Sequence, residues 1–300
     1  MSRLVTGAGG MLGRHLVRHC EDEHVVALDR RDLDIRDADA VDGAIAHHRP
    51  RVVINCAAWT ATDAAEKDPD PAWRVNATGT RNLARACRRN GAILLQLSSD
   101  YVFSGLSRTP YPEDAPTDPI NTYGRTKAAA ESAVLDTLPD TGYVVRAAWL
   151  YGVGGRNFVD TMIGLERTRE SVRVVNDQTG QPTWADDLAG LLTRLAGAAE
   201  AGTAPPGIYH GTSSGEVSWH GLAQEVFRLL GADPSRVLPV TSGEFGLPAA
   251  RPGYSALGHG RWDQAGIPPL RHWRSALHAA FPLLQEAHAQ KGRTRESIGN

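Results

Sequence analysis

Apolar and polar positions along the first half of the chain follow two periods that alternate. Short apolar runs mark strands at Arg3–Thr6, His24–Leu28, Arg51–Ile54, Ala92–Leu97 and Tyr143–Arg146. Between them apolar residues return every three or four positions, which predicts helices over Met11–Cys20, Ala38–His48, Pro71–Arg89 and Asn121–Leu138. On the first of these Leu12, Leu16 and Val17 face inward. Ala92–Leu97 is apolar almost throughout, as expected of a strand covered on both faces. Strands separated by helices of this length imply right-handed crossovers and a parallel sheet. The fold class expected is α/β, with a doubly wound sheet.

After Trp149 the pattern loosens. Helices over Asn157–Arg169, Asp186–Leu195 and Trp219–Leu230 alternate with short strands at Val172–Val175 and Ile208–His210, and proline and glycine become frequent between Thr203 and Gly266. This reads as a smaller α/β lobe interleaved with the sheet domain. The expected division is residues 1–150 for the sheet domain, with 184–200 returning to it, and 151–288 mainly for the lobe. Gln290–Asn300 reads as a polar, disordered tail. No internal repeat is visible.

Composition narrows the function classes. Three hundred residues, 41% hydrophobic and 22% charged, fit one α/β domain with an added lobe. A formal net charge of -2 gives no reason to expect nucleic acid or an anionic membrane as partner. Cys20, Cys56 and Cys87 show no metal-type spacing and read as buried free thiols in a reducing compartment, so no metal is expected. No apolar stretch approaches ~20 residues and no signal-peptide core is present. The expectation is a cytoplasmic, soluble protein without a membrane partner.

Thr6-Gly7-Ala8-Gly9-Gly10-Met11-Leu12-Gly13 follows the first strand and opens the first helix. A glycine turn there lets backbone approach a pyrophosphate, and the helix N-terminus adds partial positive charge. Gly7 permits the tight turn, Gly10 close contact and Gly13 packing of helix on sheet. The spacing differs by one residue from G-x-G-x-x-G, but its position after a strand satisfies the context test for a dinucleotide site. The sheet is therefore of Rossmann type. Asp29, ending the second strand, suits adenosine ribose hydroxyls and so NAD. Arg30 and Arg31 suit a 2′-phosphate and so NADP. The sequence leaves both open. Asp34 and Ile35 are placed for the adenine edge.

Tyr123 and Lys127 lie four residues apart on a predicted helix, and Ser98-Ser99-Asp100 ends the strand before it. A free tyrosine titrates near ~10 and is inert at neutral pH. A lysine one turn away is expected to lower that value and ready the phenol for proton transfer. A strand-end serine hydroxyl can hold a substrate carbonyl. The pieces together point to hydride transfer from a nicotinamide to a carbonyl. Asp63 and Glu66 resemble a paired acid and base, but are read as caps of the helix that follows, with no chemistry.

TGAGGMLG, Asn55-Cys56-Ala57-Ala58-Trp59-Thr60, SSDYVFSG and YGRTK resemble, in this order, the extended short-chain dehydrogenase/reductase family. More narrowly the chain resembles its dTDP-4-dehydrorhamnose reductase branch. The segment from Thr60 to Glu66, Arg156-Asn157-Phe158, Asn176-Asp177-Gln178 with Gly180 and Pro182-Thr183, and Ala250-Arg251-Pro252-Gly253 carry that narrower likeness over most of the chain. The resemblance implies NADPH, or alternatively NADH, and a dTDP-4-keto-6-deoxy-L-hexose as substrate. It implies that Ser99 or its neighbour orients the keto oxygen, that Tyr123 protonates it, and that Lys127 binds the nicotinamide ribose and lowers the tyrosine pKa. The branch usually has threonine at the position of Ser99, so the hydroxyl is kept and the methyl is not. Met11 and Leu12 in the glycine turn, with Ala57 and Ala58, would line the cofactor cleft. Asn55 is either structural or part of the site. Asp100, Tyr101, Phe103, Trp149, Asn157, Gln178 and Arg251 are the substrate-side candidates. Arg251 has the clearest physical warrant, because a guanidinium grips a diphosphate with two bonds. Trp149 could stack on a sugar or simply belong to the core. A monomer or homodimer is expected.

Two other readings compete. Dehydratases on this scaffold place an Asp-Glu pair after the serine or threonine, to work at two carbons. Here Tyr101 follows Asp100, which counts against elimination, while a nucleotide-sugar epimerase stays open. A non-catalytic, NAD(P)-binding regulatory subunit would keep the fold but usually loses the tyrosine or the lysine.

Overall fold

The computed structural model describes residues 2–20 and 24–298, with side chains as far as Gln290. Six strands form one parallel sheet: β1 (Ser2–Thr6), β2 (His24–Leu28), β3 (Val52–Asn55), β4 (Ile93–Ser99), β5 (Gly142–Ala147) and, after the short strand β6 (Val172–Val175), β7 (Gly207–His210). Their order across the sheet is β7-β5-β4-β3-β1-β2. The order reverses between β1 and β3, and ligands of open parallel sheets bind at the carboxyl ends of strands at such a switch point.

Neighbouring residues of each central strand enter opposite cores, which is why these segments are apolar without a break. Val5, Ile54, Leu95 and Val145 pack on one face with helices α1 (Met11–His19) and α8 (Ala185–Glu200). Leu4, Val53, Leu94 and Val144 pack on the other face with α2 (Ala38–His48), α5 (Thr80–Asn90) and α6 (Thr122–Thr137). A third cluster lies apart from the sheet. It joins Val172 and Val174 of β6 and Val237 of β8 (Val237–Val240) to α7 (Phe158–Thr168), α9 (Trp219–Leu229) and the last helix α10 (Trp273–Ile298). β6 and β8 pair in parallel.

Three elements differ from the sequence reading. The helix expected over Pro71–Arg89 consists of α4 (Pro69–Ala72), a π-helical segment Trp73–Gly79 and then α5. α3 (Thr62–Lys67) precedes it. Ile208–His210, placed in the looser second half, completes the main sheet beside β5. α10 runs as far as Ile298, through most of the stretch read as a disordered tail, and residues 299 and 300 lie outside the described residues. No helix among the described residues is long and apolar enough to cross a membrane.

Candidate active site

The glycine turn is shaped by contacts that a side chain would break. Gly7 has φ +67, and a Cβ there would stand 2.5 Å from the Ala57 nitrogen; one on Gly13 would stand 2.4 Å from the Gly7 carbonyl oxygen. The turn closes through Gly10 N–H donating to Gly7 O at 3.0 Å. α1 then starts at Gly10 with no side-chain cap and no acidic residue in its first turn, so its free N–H groups suit an anion. Asn55, fully buried, fixes the opposite wall. It accepts from Thr6 Oγ1 at 2.6 Å and from Ala57 N–H at 3.0 Å, and donates to Gln96 Oε1 at 2.7 Å. Its polar atoms are thus spent on structure.

Between these walls lies a cleft of about 360 Å³ lined by Gly7, Gly9, Gly10, Asp29, Arg30, Arg31, Leu33, Asp34, Ile35, Arg36, Cys56, Ala57, Ala58, Trp59 and Val75. It brings together Gly7, Gly10, Asp29, Arg30, Asp34, Ile35, Ala57 and Ala58 of the sequence-derived set. Leu12 instead turns into the sheet core, and Met11 packs where a Cβ on Gly155 would meet it at 2.9 Å. Arg31 donates to both carboxylate oxygens of Asp29, through its backbone N–H at 2.7 Å and Nη2 at 2.8 Å, and holds Asp29 down to about 2. Asp34 is held likewise by Arg36. Arg30 donates no hydrogen bond to a described residue. The shape, the uncapped helix and the basic rim fit a dinucleotide. Trp59, Cys56 and Val75 are additions that the sequence reading did not assign. Cys56 and Trp59 stood inside a run already singled out.

The cleft wall at Cys56 comes close to Lys127, whose amine reaches Leu97 just before the strand-end serines. Ser98 and Ser99 point to opposite sides of β4: Ser98 Oγ donates to Glu131 Oε1 at 2.5 Å, whereas Ser99 Oγ donates to Asp100 Oδ1 at 3.0 Å and accepts from Tyr101 N–H at 3.2 Å. Only Ser99 stands beside Tyr123. Asn121 caps α6 by accepting from Gly124 N–H at 2.7 Å, which sets Tyr123 in the first turn. Gly124 has no room for a side chain, since a Cβ would meet Tyr101 O at 2.1 Å. One turn on, Lys127 Nζ donates to Leu97 O at 2.5 Å. Asn76, in the π-helical segment, ties this helix to the cleft. It donates to Thr126 Oγ1 at 2.9 Å and Trp59 O at 3.1 Å, and accepts from Trp59 N–H at 2.8 Å. No signal in the sequence marked it.

The electrostatics correct one expectation. Burial pushes Tyr123 up to about 12, the Ser99 hydroxyl offsets part of that, and Asp100 adds to it. Lys127 is not among the groups that shift the tyrosine. Its own ammonium is buried against Leu97 O and falls to about 8, mainly through desolvation, with Glu131 and then Cys56 pulling the other way. Spacing alone placed the pair on one helical face but could not register the loss of water around both groups.

Asp100 is buried and raised to about 6 by desolvation, despite accepting from Ser99 and, at 2.6 Å, from Ser255 Oγ. Tyr101 packs edge-on against Tyr123, with ring centroids 5.8 Å apart. Arg251 lies beyond Tyr101 and lines a second hollow of about 270 Å³ together with Gln178, Ser242, Phe245, Leu247 and Ala249. Gln178 donates there to Ser242 Oγ at 2.7 Å. Three candidates stand elsewhere. Phe103 is fully buried and stacks on Tyr111 at 4.1 Å under the Arg146 guanidinium. Trp149 stacks on Trp219 at 3.5 Å, and its backbone holds φ 46. Asn157 caps α7 by accepting from Asp160 N–H at 3.0 Å and donates to Gly152 O at 2.8 Å. Asp63 and Glu66 do not cap the helix expected to follow them: both lie inside α3, and α4 starts after Asp68 without a side-chain cap. Asp63 binds Arg251, and Glu66 Oε2 accepts from Thr122 N–H, at the start of α6, at 2.8 Å.

Fold and site place the chain among the dinucleotide-dependent oxidoreductases of the extended short-chain dehydrogenase/reductase class. Within that class it belongs to the family of the RmlD substrate binding domain, whose model matches residues 1–285. It is 59% identical over 283 residues to a dTDP-4-dehydrorhamnose reductase of Streptomyces griseus, covering 94% of this chain and 93% of the relative. A dTDP-4-keto-6-deoxy-D-glucose reductase of Streptomyces niveus is 52% identical, with 94% and 96% covered. Among solved structures, a dTDP-4-dehydrorhamnose reductase of Bacillus anthracis in complex with NADP superposes with a TM-score of 0.89 at 37% identity, covering 93% of this chain and 98% of the other.

Proposed function

We propose that the protein reduces the 4-keto group of a dTDP-4-keto-6-deoxy-L-hexose with NADPH, in deoxysugar biosynthesis. The observation that carries this reading is that Ser99 meets Tyr123, with Lys127 one turn on and close to Cys56, which lines a dinucleotide-shaped cleft. A reduced nicotinamide bound there supplies the hydride. Ser99 orients the keto oxygen and Tyr123 O–H gives it a proton, leaving the alcohol. Because burial holds Tyr123 protonated, the donor is loaded across the neutral range. Gly7, Gly10 and the N-terminus of α1 would hold the pyrophosphate, Arg30 a 2′-phosphate, and Lys127 the nicotinamide ribose. Arg251 and Gln178, sharing one hollow, would take the nucleotide diphosphate.

In the same reading, residues 1–150 with 184–200 bind the cofactor and 151–288 mainly the sugar nucleotide. The protein acts in the cytoplasm as a monomer or homodimer. A second substrate reading has specific support: the 52% identical relative named for a D-glucose derivative makes the D-configured 4-keto sugar the alternative. The test is NADPH oxidation on adding each epimer, with NMR of the product. Cofactor binding without turnover of any 4-keto nucleotide sugar overturns the reading.

A further inference from the structure

Tyr123, Lys127 and Glu131 recur one turn apart along α6, and the third member has no part in the chemistry described so far. Its carboxylate is buried and fully engaged. Oε1 accepts from Ser98 Oγ at 2.5 Å and from Arg146 Nε at 2.9 Å, and Oε2 accepts from Arg146 Nη2 at 2.7 Å. Arg146 is itself 1% exposed, and its Nη1 reaches Glu113 O and His210 Nε2, both at 3.3 Å. His210 is neutral, since its Nδ1–H donates to Gly258 O at 2.8 Å and burial holds it down to about 3. A buried ion pair of this kind rarely repays its desolvation as stability. A pair placed directly behind the site lysine invites a different account.

The groups around Lys127 leave one source of negative charge. β4 offers the Leu97 carbonyl, which accepts its proton, and Ser98. The segment after β3 offers Cys56, a smaller influence on the lysine than Glu131; burial pushes the Cys56 thiol up to about 12, so that it stays uncharged while Lys127 titrates. The turn after β4 offers Asp100, which acts on Tyr123. Glu66 of α3 is engaged at the start of α6 by Thr122 N–H and Arg125. The π-helical segment contributes the uncharged Asn76, and α5 turns Arg81, Arg85, Arg88 and Arg89 to solvent. Glu131 remains.

We propose that Glu131, seated by Arg146 and Ser98, is a positioning residue that keeps the Lys127 ammonium charged inside the protein. The pair on β5 fixes the carboxylate, and the carboxylate offsets part of the desolvation of the lysine one turn back. Charge on Lys127 is what its role towards a cofactor ribose requires, so the inference rests on the proposed reductase chemistry for its purpose. Its electrostatic content can be tested without turnover.

The chain has three lysines, Lys67, Lys127 and Lys291. Protein labelled with 13C at lysine Cε gives three resonances, assigned with K67R and K291R, whose pH titration reads each amine directly. In the intact protein Lys127 is expected to titrate near about 8. In Glu131→Gln its midpoint should fall by about one pH unit or more, while Lys67 and Lys291 stay put. A folded E131Q protein in which Lys127 titrates unchanged overturns the proposal. Should E131Q fail to fold by circular dichroism, E131Q/R146M removes the stranded guanidinium with the carboxylate, and the same downward shift or its absence decides. Inactivity of the protein towards every 4-keto sugar would sink the reductase reading and leave the titration result standing.

Discussion

Asp63 holds Arg251 with both carboxylate oxygens, Oδ1 at 3.0 Å from Nη1 and Oδ2 at 2.8 Å from Nη2, and also takes Ala249 N–H at 3.1 Å. The two residues are 188 positions apart and join α3 to the loop that follows β8. The guanidinium assigned to a substrate diphosphate is therefore already placed, beside Tyr101 and half-buried.

Arg251→Met removes that charge while keeping much of the side-chain volume. A charge-assisted hydrogen bond contributes about 1.5–3 kcal/mol, so the KM for the sugar nucleotide should rise by roughly tenfold or more, with kcat changed only a few-fold. Steady-state kinetics at saturating NADPH measures it. An unchanged KM would remove Arg251 from the diphosphate site.

Tyr123→Phe deletes the proposed proton donor and leaves the edge-on contact with Tyr101 in place. Loss of general acid catalysis costs on the order of 10²–10⁴-fold in kcat, while NADPH affinity, read by fluorescence titration, should stay within a few-fold. The tyrosine stays protonated to about 12, so it sets no limb in the neutral range. The alkaline fall of kcat/KM is expected near about 8, where Lys127 loses its proton. A profile flat to about pH 10, the ordinary range of a free lysine, would separate the rate from Lys127.

What the sequence made legible divides along the range of the interactions. His24–Leu28, Ala38–His48 and Val172–Val175 have the same ends in chain and structure, because period and flanking residues are local signals. The glycine turn was readable for the same reason. The π-helical Trp73–Gly79 was not, since one extra residue per turn leaves the apolar pattern nearly intact. Ile208–His210 joins a sheet edge chosen by distant pairing with β5. Asp63 and Glu66 face an arginine and a helix start far away in sequence, so reading them as caps of the next helix along the chain misplaced them. The raised Tyr123 depends on burial by elements that no motif contains.

Arg30 lies in the cleft with no hydrogen bond to a described residue, whereas Arg31 is committed to Asp29. Arg30→Ala should therefore raise the KM for NADPH by roughly tenfold, the size of a charge-assisted phosphate contact, and leave that for NADH within about twofold. Arg31→Ala should free Asp29 and change the two cofactors less unequally. Equal losses for NADPH and NADH in the Arg30 variant would place the 2′-phosphate elsewhere.

Asp100 couples the strand-end serine to Ser255 in a buried site, and its carboxyl is raised from 3.8 to about 6. A raised acid favours the folded state below its unfolded pKa, and that contribution is lost as pH rises through about 6. Raising the carboxyl that far corresponds to about 3 kcal/mol between the two ends of that window. Asp100→Asn keeps the shape and one acceptor but does not titrate. Relative to the parent, the variant should be least favoured near pH ~4 and gain by about 2–3 kcal/mol towards pH ~7, as read by urea unfolding at both values. A stability difference that does not move between the two would show that Asp100 is not held protonated in the folded chain.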